Sequence, residues 1–445
     1  MQHSHEALDR PGGFAGRGLI SPLRHRDFRV LWAGMAVSLL GDGIFLIAIA
    51  WESYALWNAP AALSIVGIGM ALPTVLFLLV GGIVSDRSDR RRVMMWADGV
   101  RALAVGLLAA LVITDSLHFW ELVVVVAIYG SGTAFFTPAF EAVVPDLLPV
   151  DDLPAANSLD QFVRPMALRL AGPLLGGALV AVSAGLAFAV DAASFGASLL
   201  AVAAIRPRPP ARDETNASAT AAVKEGLRFI RRRVWLWGTL ASAAIAYLVF
   251  LGPTEVLLPY VVKNELGASA GTLGLVFAAG GVGAVGSAIW MGSRGHPRRD
   301  VTFIYSTWTL ATLAVAGYGL ATAAWQLMVA CLVFNALETA GTIVWATLKQ
   351  RHVPSSMLGR VSSLDWLISI GLLPVSFALT APVAAAVGVR ATLVGAAIIG
   401  GAVTLGALFL PGMRDVESRP ADTGERPRPR PVRTSRGPGS ARALP

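Results

Sequence analysis

Several ionisable side chains lie inside long apolar stretches of the sequence. They are Asp42, Asp98, Arg101, Asp191, Glu255 and Glu338. A charged residue at the centre of a membrane-inserted helix costs about 2.5 to 3.5 kcal/mol unless it is paired or hydrated. A carboxylate that is removed from water also takes up a proton more readily than one on a surface. These positions are therefore the candidates for chemistry, and proton transfer is the chemistry that isolated acids can perform there.

The sequence separates these residues into a pair and a set of single acids. Asp98 and Arg101 are one helical turn apart, so mutual pairing and a gating role are both open interpretations. Asp42 has no charged neighbour at helical spacing, which makes it the first candidate for a proton carrier. The remaining acids follow it as candidates for proton coupling or substrate contact. For each single acid, a hydrogen-bonded structural role is the alternative interpretation.

The composition is that of a membrane protein. Of the 445 residues, 55% are hydrophobic and only 14% are charged, which excludes an ordinary soluble enzyme of this length. A bilayer core of ~30 Å needs about 20 apolar residues per helix. The formal charge of +8 does not indicate nucleic-acid binding, because the basic residues lie in the loops and tails between apolar runs.

Apolar runs of this length recur along the chain. Twelve spans are predicted, at 28–50, 62–84, 93–114, 119–142, 160–183, 186–205, 236–261, 271–292, 301–321, 325–347, 362–387 and 391–411. Arginines are concentrated in the loops after even-numbered spans, whereas the loops after odd-numbered spans carry only Lys263 and Arg390. The positive-inside rule therefore predicts that both termini are cytoplasmic.

The chain is predicted to be an all-α polytopic membrane protein with two six-helix repeats. Ser158-Leu159-Asp160 recurs as Ser363-Leu364-Asp365 at the start of the fifth helix of each half. The expected organisation is a cytoplasmic tail at 1–27, a six-helix bundle at 28–205, a cytoplasmic linker with a basic amphipathic helix at 206–235, a second bundle at 236–411 and a disordered cytoplasmic tail at 412–445.

The densest charge cluster follows the second span and has the pattern Gly82-x-x-x-Asp86-Arg87-x-x-Arg90-Arg91. It resembles the signature loop of the major facilitator superfamily, although Asp89 stands where a second Gly is usual. The resemblance implies a transporter in which twelve helices surround a central cavity.

The same resemblance implies a gate at this loop. Asp86, four residues after Gly82, is expected to accept hydrogen bonds from the start of the eleventh helix, here residues 360–365. Arg90 is expected to pair with Asp146, the nearest acid at the inner end of the fourth helix. Because these contacts close the cytoplasmic side, the loop is predicted to be a latch and not a substrate site.

Further segments resemble the macrolide-efflux and siderophore-export branch of drug:proton antiporters in that superfamily. They are Phe136-Thr137-Pro138-Ala139-Phe140, Ala156-Asn157-Ser158-Leu159 and Asp191-Ala192-Ala193-Ser194-Phe195. The run Gly172-Pro173-Leu174-Leu175-Gly176-Gly177 resembles an exporter-associated motif, in which small residues allow close helix approach and Pro permits a bend. The resemblance covers residues 22–411 and implies export.

Other patterns carry no cofactor chemistry. Gly281-x-Gly283-x-x-Gly286 matches a dinucleotide fingerprint, but it lies inside an apolar span without a preceding strand, so helix packing explains it better. The single Cys331 excludes a cysteine metal cluster. No cofactor or metal is expected. Arg164 and Arg169 are candidates to replace an arginine that export branches often carry in the fourth helix, and snorkelling to the cytoplasmic surface is the alternative.

The sequence therefore predicts a multi-pass protein of a bacterial inner membrane that exports a hydrophobic or amphiphilic small molecule. Alternating access coupled to proton influx is expected, with substrate, protons and lipid as partners, no nucleic acid and a monomeric state. An uptake symporter and a non-transporting sensor of the same fold remain alternatives. A membrane-embedded enzyme is a further rival, which lacks clustered catalytic residues in this sequence.

Overall fold

The computed structural model describes residues 20–149, 152–206, 219–294 and 297–417, in which the chain forms helices and no strands. The first half contains α1 (Arg26–Leu56), α2 (Pro60–Arg87), α3 (Arg90–Ile113), α4 (Phe119–Leu147), α5 (Leu153–Pro165), α6 (Gly172–Val182) and α7 (Ala184–Ala203). The second half contains α8 (Ala219–Arg231), α9 (Val234–Tyr260), α10 (Ala270–Arg294), α11 (Asp300–Ala314), α12 (Ala316–Leu320), α13 (Ala324–His352), α14 (Ser355–Gly371), α15 (Leu373–Val387) and α16 (Val389–Ala407).

The all-α polytopic prediction is confirmed. Within the described residues, eleven helical stretches are long and apolar enough to cross a membrane. The remaining predicted span, 301–321, is present as α11 and α12, which are interrupted at Val315 and together cover residues 300–320. The observed helices are consistent with twelve spans.

The fifth predicted span consists of α5, a π-helical segment at Met166–Ala171 and α6. Pro165 ends α5 and Pro173 stands in the first turn of α6. Because neither proline has an N–H to donate, the regular hydrogen-bond ladder is broken at both positions. A π-turn holds an extra residue and therefore changes the directions in which its side chains point. Arg169 lies in this segment.

The two halves meet along pairs of helices, with α2 against α15 and α6 against α10. We call the two ends of the bundle the Lys263 end, where α1 ends and α2 begins, and the Arg90 end, where α2 ends and α3 begins. At the Lys263 end, the Tyr54 hydroxyl donates a hydrogen bond to the Val256 carbonyl (2.6 Å), and Lys263 donates to the Trp51 carbonyl (3.2 Å). The Tyr54 and Tyr260 rings also meet edge to face, 5.5 Å apart. The halves are therefore bonded together at this end.

Small residues permit the close approach of these helices. A Cβ at position 177 would lie 2.9 Å from the Ala270 carbonyl oxygen, and one at position 274 would lie 2.4 Å from the Pro173 carbonyl oxygen. Within the first half, a Cβ at position 172 would lie 2.6 Å from Gly43 Cα, and one at Gly176 would lie 3.0 Å from Ile44 Cα. The segment that resembles an export motif therefore packs against α1 on one face and against α10 on another.

The structure differs from the prediction at the start of the C-terminal tail. Residues 412–417, which the sequence assigns to a disordered tail, are ordered, and Asp415–Glu417 form a short 3-10 helix. The Glu417 carboxylate accepts a hydrogen bond from the Thr302 backbone N–H (2.7 Å) at the start of α11. The first-turn amides of a helix have no partner within the helix, so a carboxylate that accepts a hydrogen bond from one of them stabilises the helix start. Residues 1–19, 207–218 and 418–445 lie outside the described part of the chain.

Candidate functional site

A cavity of about 350 Å³ lies among α1 to α5 and is closed on one side by α14 and α15 of the second half. Most of its wall is apolar, with Phe45, Phe136 and Phe140 on one side and Trp366 on the other. Its polar side chains are Asp42, Arg101, Tyr129, Glu141, Arg164 and several hydroxyl groups. An apolar wall with a few polar groups suits a small organic ligand that has one polar or charged group.

Asp42 is held in this wall by a tyrosine. The Tyr129 hydroxyl donates a hydrogen bond to Asp42 Oδ1 at 2.5 Å. The Tyr129 ring lies parallel to Phe45, with ring centroids 4.5 Å apart, and meets the Phe195 ring edge to face. Both ring contacts fix the direction of the hydroxyl. Sequence spacing offered Asp42 no partner, because Tyr129 lies 87 positions away on α4.

Asp98 and Arg101 form a buried ion pair, and Arg101 belongs to the cavity wall. Arg101 Nη2 donates to Asp98 Oδ1 at 2.5 Å, and their side chains are 4% and 0% exposed, respectively. The guanidinium also lies over two rings, 4.7 Å from the Phe136 centroid and 4.4 Å from the Phe195 centroid. A Cβ at Gly132 would lie 2.6 Å from Arg101 Cγ, so this glycine makes room for the arginine stem. The mutual pairing expected from their spacing is present.

Asp191 is fully buried on α7, which packs directly against α1, the helix that carries Asp42. Its Oδ1 accepts a hydrogen bond from the Ser194 hydroxyl at 3.3 Å. A Cβ at Gly41 would lie 2.5 Å from the same oxygen, so the backbone of α1 passes directly beside it. Asp42, Asp191 and Arg101 are close enough to interact electrostatically. The structure thus brings four of the predicted residues together at the centre of the first half.

The other two predicted acids lie in the second half, and both interact electrostatically with Arg169. Arg169 Nη1 donates to Asn335 Oδ1 at 2.5 Å and lies 4.0 Å from Glu338 Oε2. Glu255 on α9 interacts electrostatically with the same arginine. In this arrangement Arg169 therefore contacts the second half, although its side chain is 49% exposed. Sequence reasoning also missed Asn335, since no spacing rule relates α13 to the fifth span.

The predicted latch is described only in part. Arg90 Nη1 donates to Asp146 Oδ2 at 2.6 Å and to the Ala142 carbonyl at 3.1 Å. Gly82 lies near the end of α2 with open space at its Cβ position. The side chain of Asp86 lies outside the described part of the chain, so its expected contact with residues 360–365 stays a prediction.

A neighbouring arginine has a structural partner that the sequence did not suggest. Arg91 donates from Nε to the Val202 carbonyl at 2.9 Å and from Nη2 to the Ala203 carbonyl. These carbonyls belong to the last turn of α7, where unpaired acceptors and the helix dipole favour a cation. The loop thus ties α3 to both α4 and α7.

No group of three or more potential metal ligands occurs among the described side chains. Cys331 is a buried free thiol on α13.

A bundle of apolar helices in two halves, with ionisable residues around a central cavity, defines a secondary-transporter architecture. The family model described as "transmembrane secretion effector" matches residues 17–439. The chain therefore belongs to that family, within the major facilitator superfamily.

Solved structures share the fold at low sequence identity. A bacterial homologue of the iron transporter ferroportin in an inward-facing state has a TM-score of 0.65 and 17% identity, over 86% of this chain and 99% of that chain. The nucleoside transporter NupG has a TM-score of 0.63 and 11% identity, over 86% and 99% of the two chains.

Curated relatives are similar along most of their length. Macrolide efflux protein A of Streptococcus pyogenes is 24% identical over 368 residues, which cover 82% of this chain and 90% of that protein. The multidrug efflux pump Tap of Mycolicibacterium fortuitum is 28% identical over 404 residues, which cover 87% of this chain and 96% of that protein.

Proposed function

We propose that this protein exports hydrophobic or amphiphilic small molecules across the bacterial inner membrane in exchange for protons. The observation that carries the proposal is Asp42, an acid in the wall of a largely apolar cavity, whose hydrogen-bond partner is a neutral hydroxyl. The names of the efflux relatives support export as the direction. A macrolide-like compound, another drug or a siderophore is the substrate class.

In this mechanism, Asp42 alternates between two charge states. When it is ionised, Tyr129 stabilises the carboxylate by donating its hydroxyl hydrogen, and a polar or cationic group of the substrate interacts with the carboxylate from the cavity. A proton that enters from outside neutralises Asp42 and weakens that interaction. Release of the proton to the cytoplasm restores the charge and resets the cycle. The protein needs no nucleotide for this exchange.

The Arg90 end is the cytoplasmic end in this proposal, because basic residues collect in its loops. Both termini then lie in the cytoplasm. Arg90, Asp146 and Asp86 act as the latch that closes this end when the cavity faces outward. We expect a monomer to be sufficient, since one chain supplies the whole cavity wall.

The test of coupling is proton-driven transport in inside-out membrane vesicles. The Asp42→Asn variant keeps the size of the side chain but cannot take up a proton, so we expect proton-dependent uptake into the vesicles to be abolished. Asp115→Asn is a matched control, because Asp115 is exposed in the turn after α3 and has a positive φ of 53° that Asn also tolerates. Wild-type rates in the Asp42→Asn variant would exclude Asp42 as the proton carrier.

The test of substrate and direction is a susceptibility profile of an overexpressing strain across antibiotics, dyes and siderophores. Export predicts higher resistance to the transported compounds. Uptake driven by a proton gradient would instead increase susceptibility, and oriented vesicles would then show the reversed flux. Unchanged susceptibility in both overexpressing and deletion strains would favour a sensor without transport.

A further inference from the structure

Arg169 is an arginine of the first half whose hydrogen-bond acceptor belongs to the second half. Its Nη1 atom lies 2.5 Å from Asn335 Oδ1 and its guanidinium lies 4.0 Å from Glu338 Oε2. Both distances join the π-helical segment of the fifth span to α13, near the middle of each element. The arginine side chain is 49% exposed and that of Glu338 is 25% exposed.

The two acceptors are held in place by their own helix. The Asn335 amide donates from Nδ2 to the Cys331 carbonyl at 2.9 Å, which directs Oδ1 toward the first half. The Thr342 hydroxyl donates to Glu338 Oε1 at 3.0 Å, which leaves Oε2 toward Arg169. The positions of both acceptor atoms are therefore fixed on α13. Whether the Arg169 guanidinium reaches them depends on how the two halves are arranged.

Glycines of α10 make this approach possible. A Cβ at Gly281 would lie 2.4 Å from the Arg169 carbonyl oxygen, and one at Gly280 would lie 2.5 Å from Asn335 Nδ2. A Cβ at Gly283 would lie 2.2 Å from the Leu332 carbonyl oxygen. The helix α10 thus lies against both the π-helical segment and α13. This packing explains Gly281 and Gly283 of the run that resembles a dinucleotide fingerprint, whereas a Cβ at Gly286 would meet no atom within 4 Å.

A hydrogen bond between a charged donor and a neutral acceptor contributes more than a partly exposed ion pair at 4.0 Å. Asn335 is therefore the stronger partner of Arg169, and Glu338 adds a weaker attraction. Since the donor and the acceptors belong to different halves, a rotation of one half against the other changes the distances between them. A contact present in only one arrangement favours that arrangement.

We infer that Arg169 and Asn335, assisted by Glu338, form a bridge between the halves that stabilises the arrangement closed at the Lys263 end. This inference rests on the proposed alternating access, and it assigns to Arg169 and Asn335 a role as positioning residues in the transport cycle. The bridge is separate from the latch at the Arg90 end, because it lies at mid-depth and joins different helices.

The test measures distances between the halves in purified full-length protein without substrate. Spin labels are attached to p-acetylphenylalanine, which leaves Cys331 intact. One pair replaces Trp120 and Trp325, which stand at the starts of α4 and α13 and are 64% and 63% exposed. A second pair replaces the exposed Arg92 and Arg299 at the Arg90 end. Pulsed electron spin resonance then gives the population of each arrangement.

Arg169→Gln and Asn335→Ala each remove the main hydrogen bond. We expect each variant to lower the ratio of the Lys263-closed arrangement to the alternative at least about tenfold. Asn335→Asp places a carboxylate opposite the guanidinium and is expected to raise the same ratio. This increase should disappear in the Arg169→Gln background, since the carboxylate then has no cation to attract.

Arg390→Gln is the matched control, because Arg390 pairs with Glu265 inside the second half. It should leave the distance distributions unchanged. Opposite shifts from Asn335→Ala and Asn335→Asp would support the bridge, because simple damage to packing moves both variants in one direction. Unchanged ratios in Arg169→Gln and Asn335→Asp would overturn it. The distances are measured without transport, so this outcome is independent of whether the protein exports or imports.

Discussion

The buried pair of Asp98 and Arg101 gives the most quantitative prediction from the structure. Asp98→Asn removes the negative charge while leaving the guanidinium, which is 4% exposed, opposite a neutral amide. Arginine does not lose its proton in proteins, so the buried charge stays. Breaking one partner of a buried pair costs about 3 to 5 kcal/mol. We expect this loss of unfolding free energy at both pH 7 and pH 5.

Arg101→Met should behave differently, because the remaining Asp98 can become neutral by binding a proton. Protonating a carboxyl of ordinary pKa costs about 4 kcal/mol at pH 7 and about 1.5 kcal/mol at pH 5. The unfolded chain keeps Asp98 ionised at pH 7, so folding of this variant takes up a proton and its stability rises as the pH falls. Loss of the contacts with the Phe136 and Phe195 rings adds a cost of up to about 2 kcal/mol that does not depend on pH.

Equilibrium unfolding in mixed micelles at pH 7 and pH 5 measures these costs. The Asp98→Asn, Arg101→Met double variant should be more stable than the sum of the single losses predicts, because no unpaired charge remains. A cost below about 1 kcal/mol for Asp98→Asn would refute the buried pair, given the magnitude expected for such pairs. If the unfolding free energy depended equally on pH in both single variants, the inference that Arg101 stays charged while Asp98 takes up a proton would be refuted.

Three further predictions concern the proposed latch, the C-terminal segment and the glycine contacts between helices. Asp86→Ala should lower transport while membrane insertion is preserved, and normal turnover in vesicles would exclude the latch. Truncation after Glu417 should leave the melting temperature unchanged, whereas truncation after Met413 should lower it through loss of the cap on α11, as thermal unfolding will show. Gly177→Val should reduce transport, because its Cβ would lie 2.9 Å from the Ala270 carbonyl oxygen; Gly196→Val, where the Cβ meets open space, is the matched control.

The fold could be predicted because membrane spans are encoded locally. Each apolar run alone determines a helix, since the backbone must satisfy its own hydrogen bonds in lipid. The interruption at Val315 and the π-helical segment at Met166–Ala171 were not predicted. Both depend on how neighbouring helices pack, which an apolar run does not encode. The ordered residues 412–417 depend likewise on a distant contact with Thr302.

The candidate site likewise contains contacts that the sequence predicts and contacts that it does not. The pairing of Asp98 with Arg101 follows from a separation of three residues on one helix. The bond between Tyr129 and Asp42 joins positions 87 apart, and that between Arg169 and Asn335 joins positions 166 apart. A tyrosine or an asparagine in an apolar run carries no signal that it will meet an acid or an arginine from another helix. The acids could therefore be found from sequence, but their partners could not.

Those partners decide which acid is suited to carry a proton. Protonating Asp98 would remove the carboxylate that is hydrogen-bonded to the buried Arg101, so the pair resists a change of charge. Asp191 is fully buried on α7 and does not line the cavity. Asp42 lines the cavity, and its partner Tyr129 is a neutral hydroxyl that can also accept a hydrogen bond from a protonated carboxyl. Tyr129 can therefore stay hydrogen-bonded to Asp42 in either charge state, which is why we propose Asp42, and not Asp98 or Asp191, for proton coupling.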